Sequence, residues 1–244
     1  MTEQVRLAKY FTDCNVLSRR AAEEEIRKGL VKVNGEIAEI GQKITPGVDV
    51  VEYGGKRILP PGRTGKVYLM LHKPRGFVTT MSDEKGRPTV ADLTRSVGAR
   101  VYPVGRLDMD SSGLLIMTND GELTNRLTHP RHDIPKIYHV LVAGHVTTAQ
   151  MTALASPADL DGYVTQPIRV RKLYESEIDT LLEMTLYEGR NRQIRRICEM
   201  QSLRVKQLVR MAIGDIELGD LPEGKYRRLD ADQIAYLKGE KSHV

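Results

Sequence analysis

Gly105-Arg106-Leu107-Asp108-Met109-Asp110-Ser111-Ser112-Gly113-Leu114-Leu115-Ile116-Met117 sets a carboxylate at the edge of a tight turn and runs straight into an apolar strand. Asp110, Ser111 and Gly113 form turns because short polar side chains bond nearby backbone and glycine accepts positive φ. The unbroken apolar run 114–117 reads as a strand covered on both faces. Upstream, residues 67–71 make a second short apolar strand, stopped by Lys73-Pro74-Arg75-Gly76. Residues 77–80 read as a third, and residues 82–88 as a polar loop. Downstream, Asn119 with Glu122 three residues later reads as a capping box, which predicts a helix to about His129, ahead of Pro130. Residues 137–142, 168–173 and 181–187 read as further strands, and residues 148–155, 192–201 and 232–238 as helices. Strands and helices interleave irregularly, with no steady βαβ repeat and no glycine-rich phosphate loop. The reading is an α+β domain built on a mixed, largely antiparallel sheet.

A smaller module precedes it. Val5, Leu7, Ala8, Tyr10 and Phe11 give a first helix its apolar side. Ser18 is placed to cap a second helix over residues 19–28, and Gly29 to end it. Val31 and Val33 alternate with polar residues before Asn34-Gly35, a hairpin signal. Ile37, Ile40, Ile44, Val48 and Val50 mark further short strands, with Pro46-Gly47 as another turn. Pro60-Pro61-Gly62-Arg63-Thr64-Gly65 combines stiff and bending residues and reads as a linker. The division is set at residue 62, giving domains 1–62 and 63–244.

The chain of 244 residues carries a formal charge of +5. Its distribution matters more. Residues 188–210 hold seven basic side chains and two acidic ones, an excess equal to that of the whole chain. Such a cluster serves as a solvated helix face or as a surface for an anionic partner. Cys14 and Cys198 lie far apart without zinc-type spacing, which suits a reducing compartment. His129 and His132 are separated by Pro130, which breaks the helix that would align them, so no metal site is expected. There is no apolar leader and no membrane-length apolar run. These features point to a cytoplasmic location without a membrane partner.

The second informative stretch is Glu188-Gly189-Arg190-Asn191-Arg192-Gln193-Ile194-Arg195-Arg196. In its helix Ile194, Ile197 and Cys198 form an apolar stripe by i, i+3, i+4 spacing. Arg192 and Arg196 fall on the opposite face, and Arg195 lies about a quarter turn from the stripe, at the boundary between core and cleft. A carboxylate in a dry pocket tends to take up a proton, so it needs a fixed cation. Arg195 is placed to supply a bidentate one to Asp108, while Arg190, Arg192 and Arg196 suit phosphate contacts.

Taken together, Gly105-Arg106-Leu107-Asp108 and Gln193-Ile194-Arg195, with Lys73-Pro74-Arg75-Gly76 and Lys136-Ile137-Tyr138, resemble the pseudouridine synthases. The closest likeness is to the branch that modifies bacterial ribosomal RNA, the RsuA, RluB, RluE and RluF group, and it covers nearly the whole chain. It implies an extended mixed sheet with helices around a central cleft, and a reaction that detaches uracil at nitrogen 1 and rejoins it through carbon 5. It makes Asp108 the catalytic residue, either attacking the anomeric carbon or taking the 2′ proton on the way to a glycal. It makes Arg195 the active-site arginine, Tyr138 the base-stacking tyrosine, and Arg106 the side chain that fills the space left by a flipped base. Lys73-Pro74-Arg75-Gly76 reads as structural. No cofactor is required, since nothing is oxidised or transferred.

Leu17-Ser18-Arg19-Arg20-Ala21 and Val31-Lys32-Val33-Asn34-Gly35 resemble the RNA-binding module first seen in ribosomal protein S-four. That likeness turns its helix pair toward RNA and makes Arg6, Lys9, Arg19, Arg20, Arg27 and Lys28 candidate contacts. Residues 1–60 carry ten basic and nine acidic side chains, so binding requires a one-sided arrangement. Leu127-Thr128-His129-Pro130 is similar to the RluB-like, large-subunit enzymes. The expected partner is therefore ribosomal RNA, bound by a monomer. A small-subunit target and a ribosome-associated factor without catalysis are the rival readings. The intact Asp108, Tyr138 and Arg195 set argues against the second. A glycosidase would want two separated carboxylates flanking the bond.

Overall fold

The architecture comes from a computed structural model, which describes residues 4–14, 16–60, 65–128 and 134–240. The chain divides into two compact units, Met1–Lys66 and Val67–Val244. The expected division at residue 62 falls in 61–64, outside the described residues, as do His129, Pro130 and His132.

The first unit contains β1 (Val5–Arg6), α1 (Leu7–Asp13), α2 (Arg19–Arg27), β2 (Val31–Val33), β3 (Glu36–Ile37), β4 (Lys43–Ile44), β5 (Val51–Tyr53) and β6 (Lys56–Ile58). Ser18 accepts a hydrogen bond from the Ala21 amide at 3.2 Å, as a cap should. Asn34 and Gly35 both take positive φ and join β2 to β3, the backbone that such a hairpin turn requires. The two helices cover β2 and β5 through Leu7, Phe11, Ala22, Ile26, Val31 and Val51. Ile40 and Val48, expected in strands, lie in turns and are more than half exposed. Their apolar character marks surface here, because strands of two or three residues have little buried face to offer.

The second unit adds β7 (Tyr68–Lys73), α3 (Val90–Leu93), β8 (Tyr102–Pro103), β9 (Ser112–Thr118), α4 (Gly121–Thr128), β10 (Lys136–Ala143), α5 (Thr148–Ala155), β11 (Arg169–Glu175), β12 (Asp179–Leu186), α6 (Gln193–Met200), β13 (Val205–Ile213), β14 (Ile216–Glu217), β15 (Tyr226–Arg228) and α7 (Ala231–Lys238). Among the described residues these strands form one sheet, ordered β11-β12-β10-β13-β9-β7-β15, with β14 on β13 and β8 on β9. Only β9 against β13 is parallel. All seven residues of β9 are buried, since apolar clusters cover both faces of the sheet there. The expected fold class therefore holds.

Two local expectations fail. Residues 77–80 form no strand: Val78 makes one isolated bridge to Thr89, and the hydroxyls of Thr79 and Thr80 bond backbone carbonyls instead. Lys73 ends β7 where expected, but as a fully buried side chain. The cap of α4 is Asp120, whose Oδ1 accepts from the amides of Glu122 and Leu123, whereas Asn119 Oδ1 accepts from the Val67 amide. Both residue types cap well, so a one-residue offset was open.

Candidate active site

Asp108 stands on the turn between Leu107 and β9, and buried groups fix the backbone of that turn. Lys73 Nζ donates to the carbonyls of Pro74 (3.0 Å), Asp108 (3.0 Å) and Ser111 (2.7 Å). The Gly76 amide donates to Met109 O at 2.7 Å. Thr79 Oγ1 donates to Leu107 O at 2.6 Å and accepts from the Leu107 amide at 3.3 Å. The Lys73-Pro74-Arg75-Gly76 motif is thus a backbone clamp under Asp108. Burial pushes the Lys73 ammonium down to about 8, against the pull of the Asp108 and Asp110 carboxylates. With the backbone held, the Asp108 side chain remains one-third exposed.

The arginines meet this turn differently from the expectation. Arg195 does not pair with Asp108. Its Nη2 donates to the Asp110 carbonyl at 2.9 Å, and its Nε lies 3.2 Å from Asp110 Oδ2. Arg192 grips the Asp110 carboxylate with Nη1 and Nη2 at 3.2 Å, and approaches Asp108 Oδ2 at 3.6 Å. The physical reason is local. Arg192 sits at the start of α6 in the left-handed region, φ 50°, which brings its side chain back to the turn. Asp110 then captures both guanidinium groups, and Asp108 keeps only the longer contact. Burial raises the Asp110 carboxyl, but the Arg192 hydrogen bond and the Arg195 charge outweigh it and hold the group below its usual value. The cluster thus gives the turn a positive wall and leaves one carboxylate open.

A cleft of about 570 Å³ brings Asp108 together with Arg106, Tyr138, Arg190 and Arg192. Arg195 stands behind its wall and Arg196 outside its lining, where Arg196 Nη2 pairs with Asp161 at 2.9 Å. Arg190 Cζ lies over the Tyr163 ring, 3.5 Å from its centre. Glu188 ties that wall together, accepting from Tyr163 Oη, the Gln166 amide and Gln193 Nε2 at 2.8, 2.9 and 2.8 Å. A hollow of about 670 Å³ around residues 81–101 is larger, but Arg87 and Arg95 take up its carboxylates Asp83 and Asp92.

Tyr138 is partly buried on β10 between two apolar clusters, with Oη accepting from Arg210 Nη1 at 3.5 Å. The sequence places Arg210 in the basic cluster of residues 188–210, whereas the structure buries it on β13, a strand the sequence does not mark. Gly113 faces Arg210 in the parallel register, and a Cβ on Gly113 would sit 2.3 Å from Arg210 O. Among the described residues no three of His, Cys, Asp or Glu gather as a metal site would need, and no helix is long and apolar enough to cross a membrane. In the first unit Arg6, Arg19, Arg20, Arg27 and Lys28 are exposed, while Lys9 and Lys28 pair with Asp13 and Glu25.

Residues 67–200 match the family described as RNA pseudouridylate synthase, and residues 15–50 match the S4 domain. An uncharacterized RNA pseudouridine synthase of Aquifex aeolicus is 41% identical over 236 residues, covering 96% of this chain and 94% of its own. Ribosomal large subunit pseudouridine synthase B of Bacillus subtilis is 37% identical over 241 residues, covering 98% and 97%. A crystal structure of a pseudouridylate synthase superposes with a TM-score of 0.68 at 31% identity, covering 96% of this chain and 99% of that one.

Proposed function

The chain belongs to the RNA pseudouridine synthase family, and we propose that it isomerises uridine in ribosomal RNA of the large subunit with Asp108 as the catalytic residue. The observation that carries the assignment is the Asp108 carboxylate: open to the cleft, on a backbone clamped by Lys73 and Thr79, beside a cluster of arginines. The bond between uracil N1 and ribose C1′ breaks, and its electron pair stays on the base. Asp108 either bonds to C1′ or takes the 2′ proton. The detached base turns, and C5 bonds to C1′ as the Asp108–C1′ bond breaks or, on the other route, as Asp108 returns its proton to C2′; the C5 proton then leaves to solvent and N1 takes up another. Apart from that proton exchange the product has the atoms of the substrate, so the reaction consumes no cofactor.

The cleft has the surfaces such a path needs. Tyr138 offers a flat ring for the base, and the exposed Arg106 is placed to fill the gap it leaves in the RNA stack. Arg190 and Arg192 face the phosphates, and the S4 module supplies a second RNA contact through Arg6, Lys9, Arg19, Arg20, Arg27 and Lys28. The large-subunit target follows from the likeness to the Bacillus enzyme named for it. The protein acts as a cytoplasmic monomer.

The test uses unmodified transcripts of large- and small-subunit ribosomal RNA from the source organism, incubated with the purified protein and mapped for pseudouridine by carbodiimide modification and primer extension. A new site in the large-subunit transcript is expected. Modification of the small-subunit transcript alone overturns the target, and modification of neither overturns the activity.

A further inference from the structure

Arg210 on β13 is only 4% exposed, yet its guanidinium is incompletely used. Nε donates to Leu114 O at 2.7 Å and Nη1 reaches Tyr138 Oη at 3.5 Å, but Nη2 has no hydrogen-bond partner. None of the described carboxylates forms an ion pair with it. The side chain lines the same cleft as Asp108 and Tyr138. A buried donor left unsatisfied costs stability, and a buried charge left unpaired costs more.

The fold keeps Arg210 in this position through its backbone. Gly113, at φ 111°, lets β9 lie directly against Arg210, where any Cβ would collide. A register shift between Ile137 and Tyr138 sets Tyr138 opposite Arg210 on the neighbouring strand. The two side chains are therefore fixed together on adjacent central strands, and both line the cleft that holds Asp108.

We propose that Arg210 Nη2 donates to a carbonyl oxygen of the flipped uracil and stabilises the uracil anion as the base leaves C1′. The inference rests on the assignment of Asp108 and its cleft given above. A guanidinium is a donor without acceptors, so its natural complement is a carbonyl or an anion. Neutral uracil presents two carbonyl oxygens. When the N1–C1′ bond breaks, the electron pair passes to N1 and spreads onto those oxygens, so the same contact strengthens along the reaction. Interactions that grow toward the transition state raise the rate rather than merely the affinity. Asp108 meets the electron-poor sugar, and Arg210 meets the electron-rich base. When C5 has bonded to C1′ and lost its proton, N1 takes up a proton, the charge disappears and the contact weakens again.

The experiment compares leaving groups. Large-subunit transcripts are made with UTP or with 5-fluoro-UTP, because fluorine makes uracil the better leaving anion and reduces its need for a cation. Under single-turnover conditions Arg210→Gln should slow uridine conversion by about a hundred- to a thousandfold, the range for losing one preorganised donor at a developing anion. RNA affinity should stay within about twofold, since the contact gains strength only along the reaction. Cleavage of the 5-fluorouridine nucleoside bond, followed by nuclease digestion and chromatography, should slow much less. Equal losses on both substrates, or no loss on uridine, overturn the proposal. Wild-type protein and Asp108→Asn run alongside, so inactivity of wild-type protein counts against the proposed function and not against Arg210. Should Arg210→Gln fail to fold, a crystal structure of wild-type protein with the 5-fluorouridine RNA decides. Nη2 within about 3.2 Å of a base carbonyl oxygen supports the role, and its absence there overturns it.

Discussion

The two walls of the cleft are built by opposite means. The Asp108 turn is held from beneath by Lys73, Gly76 and Thr79, all bonding backbone, and the Lys73 and Thr79 side chains are buried. The arginine wall is held by side chains: Arg192 and Arg195 on Asp110, Arg190 on Tyr163, and Gln193 on Glu188. Backbone clamps fix where the Asp108 carboxylate stands without consuming its charge. Side-chain ion pairs place positive charge nearby but leave it responsive to pH, salt and an incoming phosphate. The division of labour suits an enzyme that must hold one atom still while admitting a large polyanion.

Removing the clamp should have the largest effect. Lys73→Met leaves the carbonyls of Pro74, Asp108 and Ser111 without their donor. At roughly 1–3 kcal/mol for each buried group left unsatisfied, destabilisation on the order of 3 kcal/mol is expected, accompanied by loss of activity. Denaturant unfolding measures it. A variant of wild-type stability would mean that the turn stands without the lysine.

On the other wall, Arg195→Lys should fold normally and turn over about a hundredfold more slowly, the cost of shifting a catalytic turn by about 1 Å. The lysine cannot hold both the Asp110 carbonyl and its carboxylate. Circular dichroism with single-turnover kinetics would separate the two effects, and near-wild-type turnover would sink the positioning role.

A smaller effect carries a pH signature. The folded Asp110 carboxyl lies below its usual value, so its stabilisation is present above about pH 4 and disappears as the pH falls through the folded value. For a pair this exposed the contribution is at most about 1 kcal/mol. The stability gap between wild type and Asp110→Asn should therefore be seen at pH 7 and narrow as the pH falls below about 4. A gap that persists in acid would mean that Asp110 acts through packing.

The least effect is expected in the S4 module, whose near-neutral surface tests whether RNA binding extends beyond the arginine wall. Arg19→Ala with Arg20→Ala in the full chain should flatten the slope of log affinity against log salt by roughly 0.7–0.9 for each phosphate no longer neutralised. An unchanged slope would remove these residues from the RNA surface.

Legibility in the sequence follows the same division. Asp108, Arg106 and Tyr138 could be named because each sits in a short contiguous motif, and the structure gathers them in one cleft. The S4 module was readable from its cap and hairpin turn, which are local. What escaped was long-range. The Arg195 partner depends on a left-handed Arg192 and on competition between two carboxylates two residues apart, neither of which periodicity reports. Strand β13 was hidden because Lys206 and Arg210 interrupt its apolar run and merge it with the basic cluster. Burial of Lys73 was hidden because lysine is ordinarily a surface residue. In each case tertiary contacts overrode the local signal.

In the proposed function the open carboxylate of Asp108 does the covalent chemistry, Arg210 meets the departing base, and the arginine wall binds and positions the RNA. Asp108→Asn keeps the side-chain volume and leaves the Asp108 carbonyl that Lys73 grips in place. Tritium release from large-subunit transcript labelled at carbon 5 of uridine should fall by several orders of magnitude under saturating protein, on the order of losses at other nucleophiles. RNA affinity measured on the same preparation should be unchanged. Tritium release at a rate near that of wild type would contradict the account, because the turn would then be held in place for something other than its carboxylate.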